Sequence, residues 1–289
     1  MNRIALGTAQ FGQAYGVANH SGQLSLEEIA ATLDFALLKG IDTLDTAIAY
    51  GDSEKRLGEA GVSAWKVITK LPAMPENCRD LVGFIKNEVT NSLNRLRISS
   101  IYGLLLHCPK QLLEKKGDLL YETLVNLKTE KWVNKIGISI YSPDELDKVC
   151  ALYNFDIIQA PYNVIDQRIV TSGWLNRLKE SNIEVHTRSM FLQGLLLMPI
   201  NSRPKFFNRW DQLWNRWNTW LQEQNISPLQ ACLNMAISQP HIDRLLIGVD
   251  SLYQLQQILD NVGKCAAIPP DTLMSNDTDL INPSNWSLV

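Results

Sequence analysis

The chain has 289 residues, of which 45% are hydrophobic and 20% charged, so it can bury a large globular core, and its formal net charge is −3. That balance, with no basic run anywhere, excludes a nucleic-acid surface, and no stretch approaches the about 18 consecutive apolar residues of a membrane span. Five widely spaced cysteines without a C-x-x-C pair predict reduced thiols in a cytoplasmic protein, and an N-terminus that runs straight into a strand is unlike a signal peptide.

Eight short apolar runs alternate with eight helical patterns. Residues 4–7 form the first run, followed by a polar loop with Gly12, Gly16 and Gly22. Ser25, with Glu28 three positions on, is a capping box for a helix that Gly40 ends. Residues 41–45 are short, apolar and β-branched, as a strand covered on both faces should be. Asp52 and Ser53 are N-cap candidates for a helix over 53–60, with Glu54 at its positive end. A strand at 67–70 precedes a helix near 79–97, with Leu81, Ile85, Val89, Leu93 and Leu96 on one face. Strands at 101–107, 135–139, 156–160, 184–188 and 244–247 follow. Helices are expected near 118–131, after Ser142 and Pro143, over 171–181 and over 252–262. The alternation implies right-handed βαβ units and a parallel sheet. Eight units in this length predict a single α/β domain over 1–289, a closed (β/α)8 TIM barrel. The G-x-G-x-x-G of an open dinucleotide fold is absent after the first strand.

Two segments stand outside this rhythm. Sixty residues separate Arg188 from Gly248, and the surplus is 198–225, where Phe206, Phe207, Trp210, Trp214, Trp217 and Trp220 share nearly one helical face. The stripe either packs on the barrel or walls its mouth. The tail, 266–289, is rich in Ser, Asn, Asp and Thr and either crosses the mouth or frays.

The C-terminal ends of barrel strands carry the chemistry of this architecture. Asp45, Lys70, His107, Ser139, Gln159, Arg188 and Gly248 stand there. Singly, Asp45 reads as a capping carboxylate, Lys70 as a solvated strand end, Tyr50 as a packed aromatic and His107 as a satisfied imidazole. Together they converge, because the barrel places strands two, three and four side by side. A carbonyl reduction needs a proton donor as hydride arrives. A phenol, with an ordinary pKa of about 10, donates more readily beside a lysine ammonium, and a buried lysine needs a carboxylate to keep its charge. A neutral histidine can orient the carbonyl oxygen. His20, His186 and His241 share no ligand spacing, so no metal is expected, and Cys108 is expected in the core on the strand face opposite His107.

The sequence resembles the aldo-keto reductases over essentially its whole length. The matching residues are Leu6 to Ala9; Asp45, Thr46, Ala47, Tyr50 and Gly51; Ser53, Glu54, Leu57 and Gly58; Thr69 and Lys70; Leu104 to His107; Gly137 to Ser139; Gln159 to Asn163; and Gln193 to Leu195. The resemblance implies an NAD(P)H-dependent oxidoreductase that reduces an aldehyde or ketone, with Tyr50 as general acid, Lys70 and Asp45 tuning it and His107 orienting the carbonyl. It implies NADP(H) as cofactor, with NAD(H) as the alternative, held by Gly7, Thr8 and Ser189, by Ser139 and Gln159 at the carboxamide, by Arg188, whose flat guanidinium stands where an aromatic stacks under the nicotinamide, by Leu192 and Gly194 toward the pyrophosphate, and by Gly248, Asp250 and Gln254 at the adenosine end. Three departures stand out. Arg188 replaces a frequent aromatic, Ile140 a frequent asparagine, and Gly248 and Gln254 the basic residues that take a 2′-phosphate, while Asp250 suits a 2′-hydroxyl. The runs Gly7 to Asn19 and Arg188 to Leu196 resemble a bacterial subgroup that accompanies surface-polysaccharide genes, which implies a sugar-derived carbonyl substrate. The partner expected is therefore a small molecule, neither nucleic acid nor membrane. The departures also support another reading, a nucleotide-binding barrel acting as a non-catalytic regulatory or scaffold protein.

Overall fold

Eight parallel strands pair in sequence order, and the last returns to the first to close the barrel in this computed structural model, which describes residues 3–19, 22–264 and 267–286. The strands are β1 Ile4–Gly7, β2 Thr43–Asp45, β3 Lys66–Leu71, β4 Ile101–Leu106, β5 Val133–Ser139, β6 Ile157–Pro161, β7 Glu184–Arg188 and β8 Arg244–Gly248. The helices are α1 Ala9–Gly12, α2 Leu26–Leu38, α3 Ser53–Ala60, α4 Leu81–Leu96, α5 Gly117–Thr129, α6 Asp144–Val149, α7 Arg168–Thr171, α8 Trp174–Glu180, α9 Asp211–Gln224, α10 Pro228–Ser238, α11 Leu252–Asn261 and α12 Thr278–Ile281. The sequence-based expectations on His20 and Cys265 lie outside the described residues.

Outward-facing strand residues such as Val67, Leu104, Ile138, Ile158 and Val185 pack under the helices in one continuous core. Inward-facing Ile68, Leu105 and Ile157 form a separate small cluster with Tyr102 inside the barrel. Below them the N-terminal end is plugged by charge. Lys66 and Arg244 meet Asp42 at 2.8 and 3.4 Å, and Lys135 meets Glu184 at 2.9 Å. Closure is tied off by Arg3, whose guanidinium donates to the carbonyls of Gln239 and Ile242 at 2.6 and 3.0 Å, just after α10.

The capping box at Ser25 and Glu28 is formed, and Gly40 takes a φ of +76° at the end of α2. Several expectations need correction. The polar loop after β1 opens with a helical turn, α1. The helix expected over 171–181 is two pieces, because Gly173 at φ +79° breaks it between α7 and α8. Helix α10 carries its own capping box, Ser227 with Gln230, and Pro228 in its first turn, signals that a reading of apolar periodicity passes over. Strand β4 ends at Leu106, so Cys108 leads a 3₁₀ turn and is half-buried outside the core.

The tryptophan stripe of α9 faces protein. Trp214 and Trp217 are buried, and their indole N–H groups donate to the carbonyls of Phe207 and Leu196 at 2.9 and 3.3 Å. The tail docks on the same segment: Trp286 meets Phe207 edge-on at 4.9 Å, and Asp277 accepts from the Trp210 indole at 2.9 Å. No helix among the described residues is long and apolar enough to cross a membrane.

Candidate active site

The loop between β2 and α3 is held from several sides, and Tyr50 is its most useful cargo. Asp52 N–H donates to the Gly12 carbonyl at 3.3 Å, and a Cβ on Gly12 would collide with the Tyr50 carbonyl, so only glycine lets α1 approach. Ser53 caps nothing. Its hydroxyl lies 2.9 Å from the Thr8 hydroxyl and accepts from Thr46 at 3.0 Å, pinning the start of α3 to β1 and β2. Asp52, the N-terminal neighbour of α3, makes no side-chain cap either. Glu54 is a buried anchor rather than a solvated helix-end charge. It accepts from Thr69 and Ser92, each at 2.6 Å, and pairs with Arg95 at 2.6 Å, joining α3 to β3 and α4.

Asp45 ends β2 and points inward. One oxygen accepts from Lys70 Nζ at 2.6 Å and the other from Gln159 Nε2 at 2.7 Å. Lys70 donates a second bond to the Thr46 carbonyl at 2.8 Å, and Ser139 donates to Gln159 Oε1 at 3.1 Å. A continuous polar chain thus crosses the barrel from β5 to β3. The Lys70 ammonium stands 5.0 Å from the Tyr50 ring centroid, and the His107 ring meets Tyr50 edge-on at 5.9 Å. Burial alone would strip the Lys70 charge, but Asp45 and then Tyr50 outweigh it and leave its pKa above the ordinary value.

His107 goes the other way. Burial, and next the nearby Lys70 charge, push its pKa down to about 4, so the imidazole is neutral at pH 7. In the unfolded chain it titrates near 6.5. Between those values acid protonates only the unfolded state, so stability that is full above pH 6.5 drains away as pH falls toward 4, by about 3 kcal/mol. Urea unfolding across that window should show the slope in the wild type and a flatter one in His107→Gln. Equal slopes would show that His107 is not the group responsible.

A cavity of about 700 Å³ opens at the C-terminal ends of the strands. Of the residues singled out in the sequence, Gly7, Thr8, Asp45, Tyr50, His107, Arg188, Ser189, Gly194, Gly248, Asp250 and Gln254 line it. Lys70, Ser139, Gln159 and Leu192 do not; all four are buried in the surrounding wall. The shape and lining fit a dinucleotide. Tyr50 and His107 bring reactive groups to the cavity, and Gly248 ends β8 just before α11, with the Gln10 amide so close that a Cβ there would collide with it. The chain at Ser189, Leu192, Gln193 and Gly194 turns through positive φ values of 63°, 47°, 54° and 88°. The loop after β1 lies across this cavity: Ala18 N–H donates to the Gln193 carbonyl at 3.4 Å, and the Asn19 amide donates to Asp250 at 2.9 Å. Among the described residues lining the cavity, no lysine appears and Arg188 is the only arginine.

Tyr15, Asn19, Tyr141 and Gln193 also line the cavity; Gln193 and the run through Tyr15 to Asn19 carried the resemblance, but the sequence reading singled out none of the four as a site residue. Tyr141 was within reach: it lies two positions beyond Ser139, on the same alternating face, so extending each strand exit by one step finds it. The other three are on loops without period.

The family model described as Aldo/keto reductase family matches residues 3–268. A curated relative, Aldo-keto reductase YhdN of Bacillus subtilis (strain 168), is 30% identical over 209 residues, which is 68% of this chain and 60% of the relative's length. Among solved structures, the holo form of an aldo-keto reductase from Bacillus halodurans superposes with a TM-score of 0.70 at 20% identity, covering 93% of this chain and 88% of that one. The glycerol dehydrogenase of Gluconobacter oxydans gives 0.69 at 23% identity, with 94% and 89% covered. At such identities the solved structures speak to the barrel alone, whereas the family match spans nearly the whole sequence: the chain belongs to the aldo/keto reductase family.

Proposed function

We propose that the protein is a nicotinamide-dependent carbonyl reductase in which Tyr50 gives the proton. One observation carries this reading: Tyr50, His107 and the Lys70–Asp45 pair converge at one end of a cavity that a dinucleotide fits. A bound nicotinamide supplies the hydride. The chain supplies the rest. Neutral His107 can donate a hydrogen bond to the carbonyl oxygen and fix its orientation, which an imidazolium would do at the cost of a buried like-charge contact with Lys70. The phenol of Tyr50 then hands its proton to the oxygen as negative charge develops there, and the Lys70 ammonium, held by Asp45, stands beside the ring to offset the charge left on the phenol.

The far end of the cavity favours the cofactor with a free 2′-hydroxyl. Asp250 brings negative charge there, and Gln254 and Gln257 are neutral. A 2′-phosphate near that carboxylate meets a repulsion of roughly 1–4 kcal/mol. Tryptophan fluorescence titration should therefore give a Kd for NADH about tenfold or more below that for NADPH. The bound cofactor should be oxidised only when an aldehyde is added. Cofactor that stays reduced across an aldehyde panel would overturn the reductase reading. The sugar-like substrate implied by the sequence enters that panel as one class among several.

A further inference from the structure

The reacting end of the cavity holds one positive charge more than its own residues neutralise. Lys70 is matched by Asp45, and His107 is neutral at pH 7. Glu54, the other buried carboxylate nearby, is spent on Arg95. Arg188 closes β7 at the cavity wall, and its guanidinium has only neutral company. One nitrogen donates to the Ile140 carbonyl at 3.1 Å, another to the Ser189 hydroxyl at 3.3 Å, and the flat group lies on the Tyr141 ring, 4.5 Å from its centroid. Elsewhere in the fold Arg168 has Asp166, Arg95 has Glu54 and Arg244 has Asp42, while Arg3 spends its donors on backbone carbonyls and does not line the cavity. Arg203, also without one, is packed on Trp214 and does not line the cavity.

A guanidinium fixed by an aromatic face, with donors left over and no anion of its own, is the geometry that captures a carboxylate or a phosphate. Tyr50 and His107 line the same cavity. Resting on the reductase reading, we propose that Arg188 is an anion subsite, and that the physiological substrate carries a carboxylate or phosphate in addition to the carbonyl that Tyr50 and His107 handle. Tyr141 is then a positioning residue, holding the guanidinium plane against the wall.

The test compares matched aldehydes. Succinic semialdehyde against butyraldehyde reads the carboxylate, and D-glyceraldehyde 3-phosphate against D-glyceraldehyde reads the phosphate. In the wild type at least one anionic member should have a kcat/KM about tenfold or more above its neutral counterpart. Arg188→Gln should collapse that ratio, and Arg188→Lys should restore part of it. A ratio that is already near one, or that survives Arg188→Gln while both members fall together, overturns the proposal: Arg188 would then act on the reacting oxygen or the cofactor. Turnover of none of the four aldehydes would sink the reductase reading and leave this inference to equilibrium titration. There, saturable tryptophan quenching by succinate or inorganic phosphate, lost in Arg188→Gln, supports it, and no saturation overturns it. Should Arg188→Gln fail to fold, succinate against succinamide on the wild type decides, since only the charged member should bind.

Discussion

Tyr50→Phe should fold as the wild type does, bind cofactor with unchanged affinity, and reduce carbonyls about 10³-fold more slowly, at the middle of the range that a positioned proton donor supplies. The substitution removes one oxygen. It keeps the ring that faces the Lys70 ammonium at 5.0 Å and the His107 edge at 5.9 Å, so the packing that orders the loop survives. The measurement is a pair: kcat from loss of the reduced-nicotinamide absorbance, and Kd from tryptophan fluorescence. A kcat within a few-fold of wild type would mean that the proton comes from elsewhere. A large loss of cofactor affinity would mean that the phenol is part of the binding surface instead.

Lys70→Met should be the most destabilising of the site substitutions. The Lys70 side chain is 1% exposed and that of Asp45 is 6%, so truncating the cation leaves a carboxylate in the barrel with only Gln159 to answer it. Breaking a buried pair on one side costs about 3–5 kcal/mol. Asp45→Asn in the same chain should return much of that loss, because two neutral groups of similar shape need no counter-charge. Activity should not return. Urea unfolding of the wild type, both single variants and the double variant gives the coupling, and turnover of the same four proteins separates fold from chemistry. Additive stabilities would mean that the two groups do not depend on each other and that the polar chain across the barrel is incidental.

The sequence carried the barrel because each βα unit announces itself locally. The run 184–188 and the helix over 53–60 are found at the expected bounds, although the caps expected of Asp52 and Ser53 do not form. What escaped depended on neighbours distant in sequence. Glu54 reads locally as a helix-start carboxylate, and only the arrival of Ser92 and Arg95 from α4 makes it a buried anchor. Ser139 ends β5 as expected and Gln159 lies two positions short of the end of β6, but their bonding to each other and onward to Asp45 depends on the diameter of the barrel, which no short window encodes. Arg188 is the sharpest case. Its charge was legible as a departure from the family pattern, while its seat on Tyr141 required the register of β5 against β7 through β6.

Barrel closure also dictates how the chain must be made. Strand β1 pairs with β8 through contacts such as Ile4 with Leu245, 241 positions apart, yet it leaves the ribosome first. Until β8 is synthesised, the growing sheet has two unpaired edges, at β1 and at the newest strand, and each is a template for association with another nascent chain. Local βα units can form as they emerge, but the reacting end, which draws on β2 through β7, stays incomplete until late in translation. The high sequence separation of the closing contact makes the final step slow. Chaperone demand should therefore peak in the interval between synthesis of β7 and docking of β8, a window lengthened by the tryptophan-rich segment between them.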